Sequence, residues 1–425
     1  MSNLKKVAII GSARIPFCRS GSDYHDVSNK QMAVKAIGGL VAKYDLKGKT
    51  LGEVCLGAVT KHAADFSLAR EATIEAQLSY ETPGLDIQRA CGTSLEAAIL
   101  VGQKIALGQI DSAIAAGVDT SSEVPIELKQ NLSSTLVKLS RARSMKERFQ
   151  TLGDLNPSAL GLTIPAVKEP RTGLSMGEHC EIMAKKWQIK REEQDELAIA
   201  SHEKAHKAYK DGFYDDLVVP YKGVKKDNNV RETTNIEKMA KIKPAFDRTS
   251  GGGTLTAGNS SPLTDGAAAV LLGSPEWAEE NGLPVLGFLT HSATAAVDFE
   301  TKEGLLMAPA YAVPKMLQRA GLSLQDFDLY EIHEAFAAQV LCTLKAFESE
   351  EFCRENLGLS EPLGSIDKSK LNTKGGSIAI GHPFAATGAR ILGSLAKSLK
   401  EQGGGRGLIS ICTAGGMGVC AIVEA

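Results

Sequence analysis

The chain has 425 residues, more than one ordinary hydrophobic core accommodates, and this length indicates two or three domains. Hydrophobic residues make up 43% and charged residues 23% of the chain, as in soluble globular proteins, and no apolar run reaches the roughly 18 residues that span a membrane. The formal net charge of −2 excludes an overall basic field for nucleic acid, so an anionic ligand has to be bound by local clusters.

The first 120 residues alternate between strand and helix patterns. Short apolar runs predict strands at 7–10, 54–57, 85–87 and 112–116. Apolar residues at helical spacing predict helices at 30–44, 68–78 and 94–107. Such alternation is typical of an α/β protein, in which helices cover a sheet.

The next segment differs in composition. Residues 121–253 are charged, poor in strand patterns and rich in helix formers, and 191–211 reads as one long polar helix. We predict an inserted, mostly helical loop domain, with Gly251-Gly252-Gly253 as the turn at its exit.

The strand and helix alternation returns from residue 284. It predicts strands at 286–290 and 328–331, a helix at 310–320 and a terminal hairpin at 407–411 and 418–423. The chain therefore divides into two similar halves. The N-terminal half is 1–275, with the loop domain at about 121–253, and the C-terminal half is 276–425.

The cysteines indicate reduced thiols. No two of the eight form a C-x-x-C pair, so no metal site is predicted. Lys5-Lys6 runs directly into a predicted strand, which argues against a signal peptide, and Val423-Glu424-Ala425 is not a peroxisomal signal. We therefore expect a cytoplasmic location.

Cys91 is the first candidate for chemistry. It lies between a short predicted strand and the first turn of an apolar-faced helix, in the segment Arg89-Ala90-Cys91-Gly92-Thr93. A helix N-terminus favours a thiolate, which would make Cys91 a nucleophile. The alternative interpretation is a small buried core residue, as most free cysteines are.

Two glycine-rich turns carry further candidates. His382 lies between Gly381 and Pro383, where it can act as a general base, and the alternative is a hydrogen-bonded structural histidine. Cys412 follows a buried strand and precedes a glycine-rich turn, where it can transfer a proton while nearby N–H groups bind an oxyanion. The alternative, a hairpin that needs glycine for positive φ, does not account for the cysteine.

His333 directly follows a predicted strand and opens the segment His333-Glu334-Ala335-Phe336. Residues at such strand ends often carry function. The alternative interpretation is a helix cap.

In this order, these segments resemble the thiolase family. The resemblance spans essentially the whole chain and rests on the segment around Cys91, the glycine-rich run 372–376, Gly381-His382-Pro383, the turn after Cys412 and the stretch 257–269, with Ser175-Met176-Gly177 as an additional match. It implies two similar βαβαβαββ halves packed in a layered α-β-α-β-α arrangement, with an inserted, mostly helical loop domain.

Two departures from the commoner thiolase pattern narrow the resemblance. His333 stands where the family often has asparagine, and Gly92-Thr93-Ser94 follows the nucleophile. In both features the chain resembles the 3-ketoacyl-CoA thiolase β-subunit type of fatty-acid-oxidation multienzyme complexes.

The resemblance implies cleavage of 3-oxoacyl-CoA by CoA through an acyl-Cys91 intermediate, in fatty acid β-oxidation. His382 would take the proton of Cys91, and Cys412 would protonate the leaving acetyl-CoA enolate. One oxyanion site would combine His382 with a water held by His333, and the other the backbone N–H groups of Cys91 and Ala414. Ala414 stands where the family usually has glycine, which puts the geometry of that turn in question.

The resemblance also implies the ligands and partners. Met176, Ser261 and Phe336 would line the pantetheine path of CoA, which is a co-substrate, so no cofactor is expected. A homodimer is expected, and so is a hetero-oligomer with an enoyl-CoA hydratase/3-hydroxyacyl-CoA dehydrogenase subunit. The basic amphipathic stretch 132–149 is either an ordinary surface helix or a contact to that partner or to a membrane.

Three alternatives stay open at the level of sequence. The first is an acetoacetyl-CoA thiolase (acetyl-CoA C-acetyltransferase) acting in the condensation direction. The second is a ketoacyl synthase, which uses one cysteine and two histidines; Cys412 argues against it, although His333 makes such a set conceivable. The third is a non-catalytic subunit or a lipid-binding scaffold, which the filled positions Cys91, His382 and Cys412 argue against.

Overall fold

The computed structural model describes residues 4–156, 158, 160–165 and 168–425. The strands are β1 (Ala8–Arg14), β2 (Cys18–Arg19), β3 (Glu53–Gly57), β4 (Gly84–Asp86), β5 (Ser112–Asp119), β6 (Glu127–Leu128), β7 (Leu162–Thr163), β8 (Thr264–Gly273), β9 (Gly287–Ala296), β10 (Leu329–Ile332), β11 (Arg406–Thr413) and β12 (Met417–Glu424). The helices are α1 (Asn29–Lys43), α2 (Leu68–Glu75), α3 (Thr93–Ala106), α4 (Gln130–Arg141), α5 (Met145–Gly153), α6 (Met176–Lys186), α7 (Arg191–Lys210), α8 (Ile236–Ala240), α9 (Pro275–Glu280), α10 (Pro309–Ala320), α11 (Ala337–Glu348), α12 (Glu350–Leu357), α13 (Ser377–Ile380) and α14 (Thr387–Glu401). Within these described ranges, no helix is both long and apolar enough to cross a membrane.

The main sheet contains both halves of the chain. Its strand order is β10-β11-β12-β9-β1-β8-β5-β3-β4, and β2 pairs with β8. The halves meet where β1 pairs antiparallel with β9 over two positions, Ala8 with Phe288 and Ile9 with Gly287. From this junction outward the two strand orders correspond, β1-β8-β5-β3 on one side and β9-β12-β11-β10 on the other.

Helices cover and separate the two half-sheets. α1 packs on β1 and β8 on one outer face, and α10 packs on β9 and β12 on the other. α3 and α14 pack against each other and against strands of both halves, so they form the middle layer. Three separate clusters of buried side chains fill the interfaces between these layers. The predicted layered α-β-α-β-α arrangement is confirmed.

The third strand of the C-terminal half is reduced to one bridge. Tyr330 pairs in parallel with Leu371, at the position that β4 occupies in the N-terminal half. Asn372 follows with φ +45°, and its side chain donates to the carbonyl of Ile332 and accepts from the N–H of Ile332. Because this side chain takes the ladder positions at the end of β10, a longer strand cannot pair there.

The segment 121–253 contains α4 to α8 and the small β6–β7 pair, as expected of a mostly helical insertion. A buried ion pair joins it to the main sheet, since Arg14 Nη1 of β1 lies 2.6 Å from Asp227 Oδ1. The predicted boundaries of the halves and of the loop domain stay predictions. The stretch 132–149 forms two helices and not one, because Ser144 caps the N-terminus of α5 and interrupts the helix pattern.

Candidate active site

A tight turn before α3 presents Cys91. The turn is a 3₁₀ segment, Ala90–Gly92, and the hydroxyl of Thr93 accepts from the Arg89 N–H and donates to the Ala90 carbonyl. Ala90 has φ +42°, a conformation that costs free energy in a residue with a side chain. A Cβ at Gly92 would lie 2.5 Å from Val419 Cγ1, so glycine allows this turn to approach β12 closely.

The predicted catalytic side chains meet next to this turn. The Cys91 sulfur, one ring nitrogen of His333 and one ring nitrogen of His382 all lie within 4.8 Å of one another. The centroids of the two imidazole rings are 4.2 Å apart. Cys91, His382 and Cys412 line one cavity of about 250 Å³. His333 does not line the cavity but lies directly beside His382, which does.

Cys91, His333 and His382 are the one group of His, Cys and acidic residues in the described part of the chain that is close enough to be considered for a metal ion. The prediction of a site without a metal therefore stays a prediction. The same holds for the expected absence of a cofactor.

His382 is held by two hydroxyl groups. Its Nδ1 lies 2.6 Å from Thr387 Oγ1, and its backbone N–H donates to Thr264 Oγ1 over 2.7 Å. Burial lowers the pKa of His382 to about 3, and the positive charge of Arg390 acts in the same direction. The resting imidazole is therefore neutral and able to accept a proton.

Burial also determines the resting state of the two thiols. It raises the pKa of Cys91 to about 12, against the opposing effect of the N–H groups of Ala414 and of Cys91 itself. Burial raises the pKa of Cys412 as well, and the neighbouring Cys91 adds to this. Desolvation therefore outweighs the effect of the backbone N–H groups, which favour the thiolate of Cys91.

The glycine-rich turn after Cys412 tolerates Ala414. The left-handed conformations fall on Gly415 and Gly416, with φ of +76° and +66°, and not on Ala414. The N–H of Ala414 points at Cys91, and the Gly415 N–H donates to Glu169 Oε1 over 2.7 Å, which holds the turn in place. Alanine at position 414 is therefore compatible with the conformation of this turn.

His333 directly follows β10 and does not cap a helix, since α11 begins four residues later with Phe336 as its N-cap. Its Nδ1 lies 2.9 Å from Ser377 Oγ, while Nε2 is buried and has no hydrogen-bond partner in the described part of the chain. Burial lowers the pKa of His333 well below its ordinary value, with His382 and Arg390 acting in the same direction.

The three residues expected along CoA all line the Cys91 cavity. Met176 opens α6 behind a capping box formed by Ser175. Ser261 donates through both its hydroxyl and its N–H to the carbonyl of Ala335. The ring of Phe336 packs edge-on against Phe246, with centroids 5.7 Å apart.

Comparison with known proteins assigns the chain to a family. Residues 7–276 match the family described as "Thiolase, N-terminal domain" and residues 283–425 match "Thiolase, C-terminal domain". The chain belongs to the thiolase family. It is 42% identical to the 3-ketoacyl-CoA thiolases of Photobacterium profundum, over 427 residues, and of Aeromonas salmonicida, over 426 residues. Each alignment covers 99% of this chain and 97% of the relative.

Two solved thiolase-fold structures superpose over the full length. The crystal structure of the Bacillus anthracis acetyl-CoA acetyltransferase has a TM-score of 0.83 at 32% sequence identity. The crystal structure of human mitochondrial 3-ketoacyl-CoA thiolase has a TM-score of 0.82 at 26% identity. Both superpositions cover 100% of each chain.

In this thiolase a second, wider cavity meets the first at Cys91. Its volume is about 820 Å³, and the residues that it shares with the smaller cavity are Cys91, Met176, Leu263, Phe384 and Ala414. Much of its additional wall is apolar; these residues are Val59, Val124, Pro125, Ile164, Pro165 and Met417. The sulfur of Cys91 therefore lies where two open paths join.

Several side chains of the site were not identified from the sequence. Thr387 and Thr264 hold His382, and Ser377 holds His333. Ser377 and Thr387 lie within five residues of His382, which was a usable local signal. Arg390 is buried in α14, but Ser394 and Lys397 follow it at helical spacing, so the sequence pattern gave no signal for its burial.

Proposed function

We propose that this thiolase is a 3-ketoacyl-CoA thiolase (acetyl-CoA C-acyltransferase) of fatty acid β-oxidation. It would cleave 3-oxoacyl-CoA with CoA to acetyl-CoA and an acyl-CoA two carbons shorter. The observation that carries the proposal is the convergence of Cys91, His382 and Cys412 in one cavity. The names of the relatives that align over nearly the whole chain support it.

The first half-reaction cleaves the C2–C3 bond. With the Nδ1–H of His382 donated to Thr387 Oγ1, Nε2 would stay free to accept the proton of Cys91. The sulfur attacks C3 of the substrate, and the bond to C2 breaks. Cys412 donates its proton to C2 of the leaving enolate, so that acetyl-CoA departs, Cys412 is a thiolate and His382 is protonated. The raised pKa of Cys412 keeps this thiol protonated until the enolate forms.

The second half-reaction restores the enzyme. The thiol of CoA gives its proton to the Cys412 thiolate, and its sulfur attacks the carbonyl of acyl-Cys91. Cys91 leaves as a thiolate and takes back the proton from His382. The N–H groups of Cys91 and Ala414 surround the sulfur, where an oxyanion of the acyl-enzyme would form.

The acetoacetyl-CoA thiolase alternative has one specific point in its favour, the full-length similarity to the Bacillus anthracis acetyl-CoA acetyltransferase. The wide cavity next to Cys91 favours the longer substrates, because four-carbon acetoacetyl-CoA would leave its apolar walls empty.

A series of 3-oxoacyl-CoA substrates from four to sixteen acyl carbons tests the proposal. We expect CoA-dependent loss of the 3-oxoacyl thioester, with kcat/KM at least tenfold higher for the medium and long chains than for acetoacetyl-CoA. Highest activity on acetoacetyl-CoA would support the alternative. A ketoacyl synthase would show no loss of substrate with free CoA.

The oligomer, the partner and the cytoplasmic location are proposals too. A homodimer that binds a hydratase–dehydrogenase subunit fits the exposed apolar side chains of α4 and α5, where Leu136 is 45% and Phe149 67% exposed. None of the residues of these two helices is buried, and Lys138 and Arg141 flank the apolar face.

Deleting residues 132–149 should leave thiolysis of acetoacetyl-CoA within about twofold of wild type, because these helices do not line the cavity at Cys91. We expect the deletion to weaken assembly with a co-expressed hydratase–dehydrogenase subunit, measured by sedimentation velocity. Replacing Leu136 and Phe149 by serine should have the same effect, and Gln150→Ser serves as the matched surface control. Unchanged assembly in all variants would refute the contact, and selective loss of binding to anionic vesicles would assign the face to a membrane.

A further inference from the structure

The geometry points to Ser377 and Arg390 as positioning residues that hold His333 in the tautomer with its proton on Nε2. The catalytic consequence rests on the proposed function, whereas the hydrogen bonds that fix the tautomer are the same whichever reaction the site performs.

The direction of the hydrogen bonds follows from Arg390. Its Nη2 lies 2.7 Å from Ser377 Oγ, and a guanidinium has donors but no acceptor, so Ser377 accepts this bond. The remaining hydrogen of the Ser377 hydroxyl then needs an acceptor of its own. His333 Nδ1, at 2.9 Å, is the other side-chain partner of Ser377 in the described part of the chain.

The opposite tautomer would leave an unpaired hydrogen. If His333 carried its proton on Nδ1, both Arg390 and His333 would donate to Ser377 Oγ. The Ser377 hydroxyl hydrogen would then be buried without an acceptor, since Ser377 is fully buried. Such a loss is unfavourable, so Ser377 donates to Nδ1 and the proton of the neutral ring stays on Nε2.

The surroundings also disfavour a doubly protonated His333. His382 faces it with a ring centroid 4.2 Å away, and the cation of Arg390 lies behind Ser377. The nearby carboxylates are engaged elsewhere. Glu331 faces Arg390 Nη1 at 4.0 Å, and Glu334 accepts from Ser201, Asn372 and the Ile378 N–H.

The consequence is a fixed donor next to the Cys91 cavity. One ring nitrogen of His333 lies within 4.8 Å of the Cys91 sulfur and of a ring nitrogen of His382, and the Nε2–H of His333 has no partner among the described side chains. It is therefore ready to donate to a water or to an oxygen that gains negative charge, with no reorganisation during the reaction. Glu331 keeps Arg390 in place, and Arg390 in turn orients Ser377.

NMR shifts of the ring nitrogens measure the tautomer of His333 directly. In full-length enzyme labelled with ¹⁵N-histidine, His333 is assigned by comparison with His333→Gln, and the ¹⁵N shifts of the two ring nitrogens are recorded. We expect Nε2 protonated and Nδ1 unprotonated in the wild type. A protonated Nδ1 in the wild type would overturn the inference, whatever the activity of the enzyme.

Ser377→Asp should reverse the tautomer, because a carboxylate accepts from Arg390 and from Nδ1–H alike. We expect kcat to fall about 100-fold, the order found when one oxyanion donor is lost, with KM within about threefold. Ser377→Ala should give a mixture of tautomers and a smaller loss. An unchanged tautomer in both variants would refute the role of Ser377, whereas a wild type with the expected tautomer but no thiolysis would refute only the proposed function.

Discussion

Replacing Cys91 by alanine should abolish thiolysis and the covalent acyl-enzyme together. Loss of the nucleophile in comparable enzymes lowers kcat by about 10⁶-fold, and we expect an effect of that order here. The fold should persist, because Cys91 lies at a cavity surface and its removal adds space to an existing opening. The measurements are kcat with a medium-chain 3-oxoacyl-CoA and intact-protein mass after mixing with substrate in the absence of CoA.

The matched control is Cys342→Ala. Cys342 is fully buried in α11 and does not line either cavity at Cys91, so this variant should keep activity within about twofold and still gain the acyl mass. A Cys91→Ala protein that still gains that mass would show that another residue is the nucleophile.

Cys412→Ala should impair cleavage of the carbon–carbon bond much more than transfer of the acyl group. We expect thiolysis to fall by about 10²–10⁴-fold, the usual contribution of one proton transfer, because no acid then protonates the leaving enolate. Exchange of an acyl group between acyl-CoA and labelled free CoA should stay within about threefold of wild type. No enolate forms in this exchange, so Cys412 keeps its proton, and His382 alone passes a proton between Cys91 and the sulfur of CoA.

Two further variants serve as controls for the Cys412→Ala result. Cys420→Ala removes a buried thiol from β12, outside the cavity, and should leave both reactions unchanged within about twofold. His382→Gln should lower both reactions, since the base serves each half-reaction. If Cys412→Ala lowers exchange as much as thiolysis, then Cys412 acts on Cys91 and not on the enolate carbon.

Local pattern predicted most of the elements. The helix expected at 191–211 is α7 (Arg191–Lys210), and the terminal hairpin consists of β11 and β12. The helix expected at 68–78 ends earlier, at Glu75, because Gln77 adopts φ +67° and terminates it. A positive φ at a glutamine depends on its surroundings, so apolar spacing alone does not reveal it.

The reduced third strand of the C-terminal half was not predictable for a similar reason. Apolar residues around Leu371 are compatible with a strand, but the Asn372 side chain bonds to Ile332, 40 residues earlier. The interruption of the helix pattern within 132–149 was easier to predict, since Ser144 followed by Glu147 is a recognisable capping pattern.

The sequence by itself determined the alternation of strands and helices, the resemblance to thiolases and the identity of Cys91, His333, His382 and Cys412 as candidates. These features depend on residue type and short spacing, which a single chain displays directly. Only the tertiary structure decided that the four side chains meet, because they come from segments up to about 320 residues apart. It also decided their resting charges and the direction of the Arg390–Ser377–His333 hydrogen bonds, because desolvation and buried partners exist only once the layers have packed.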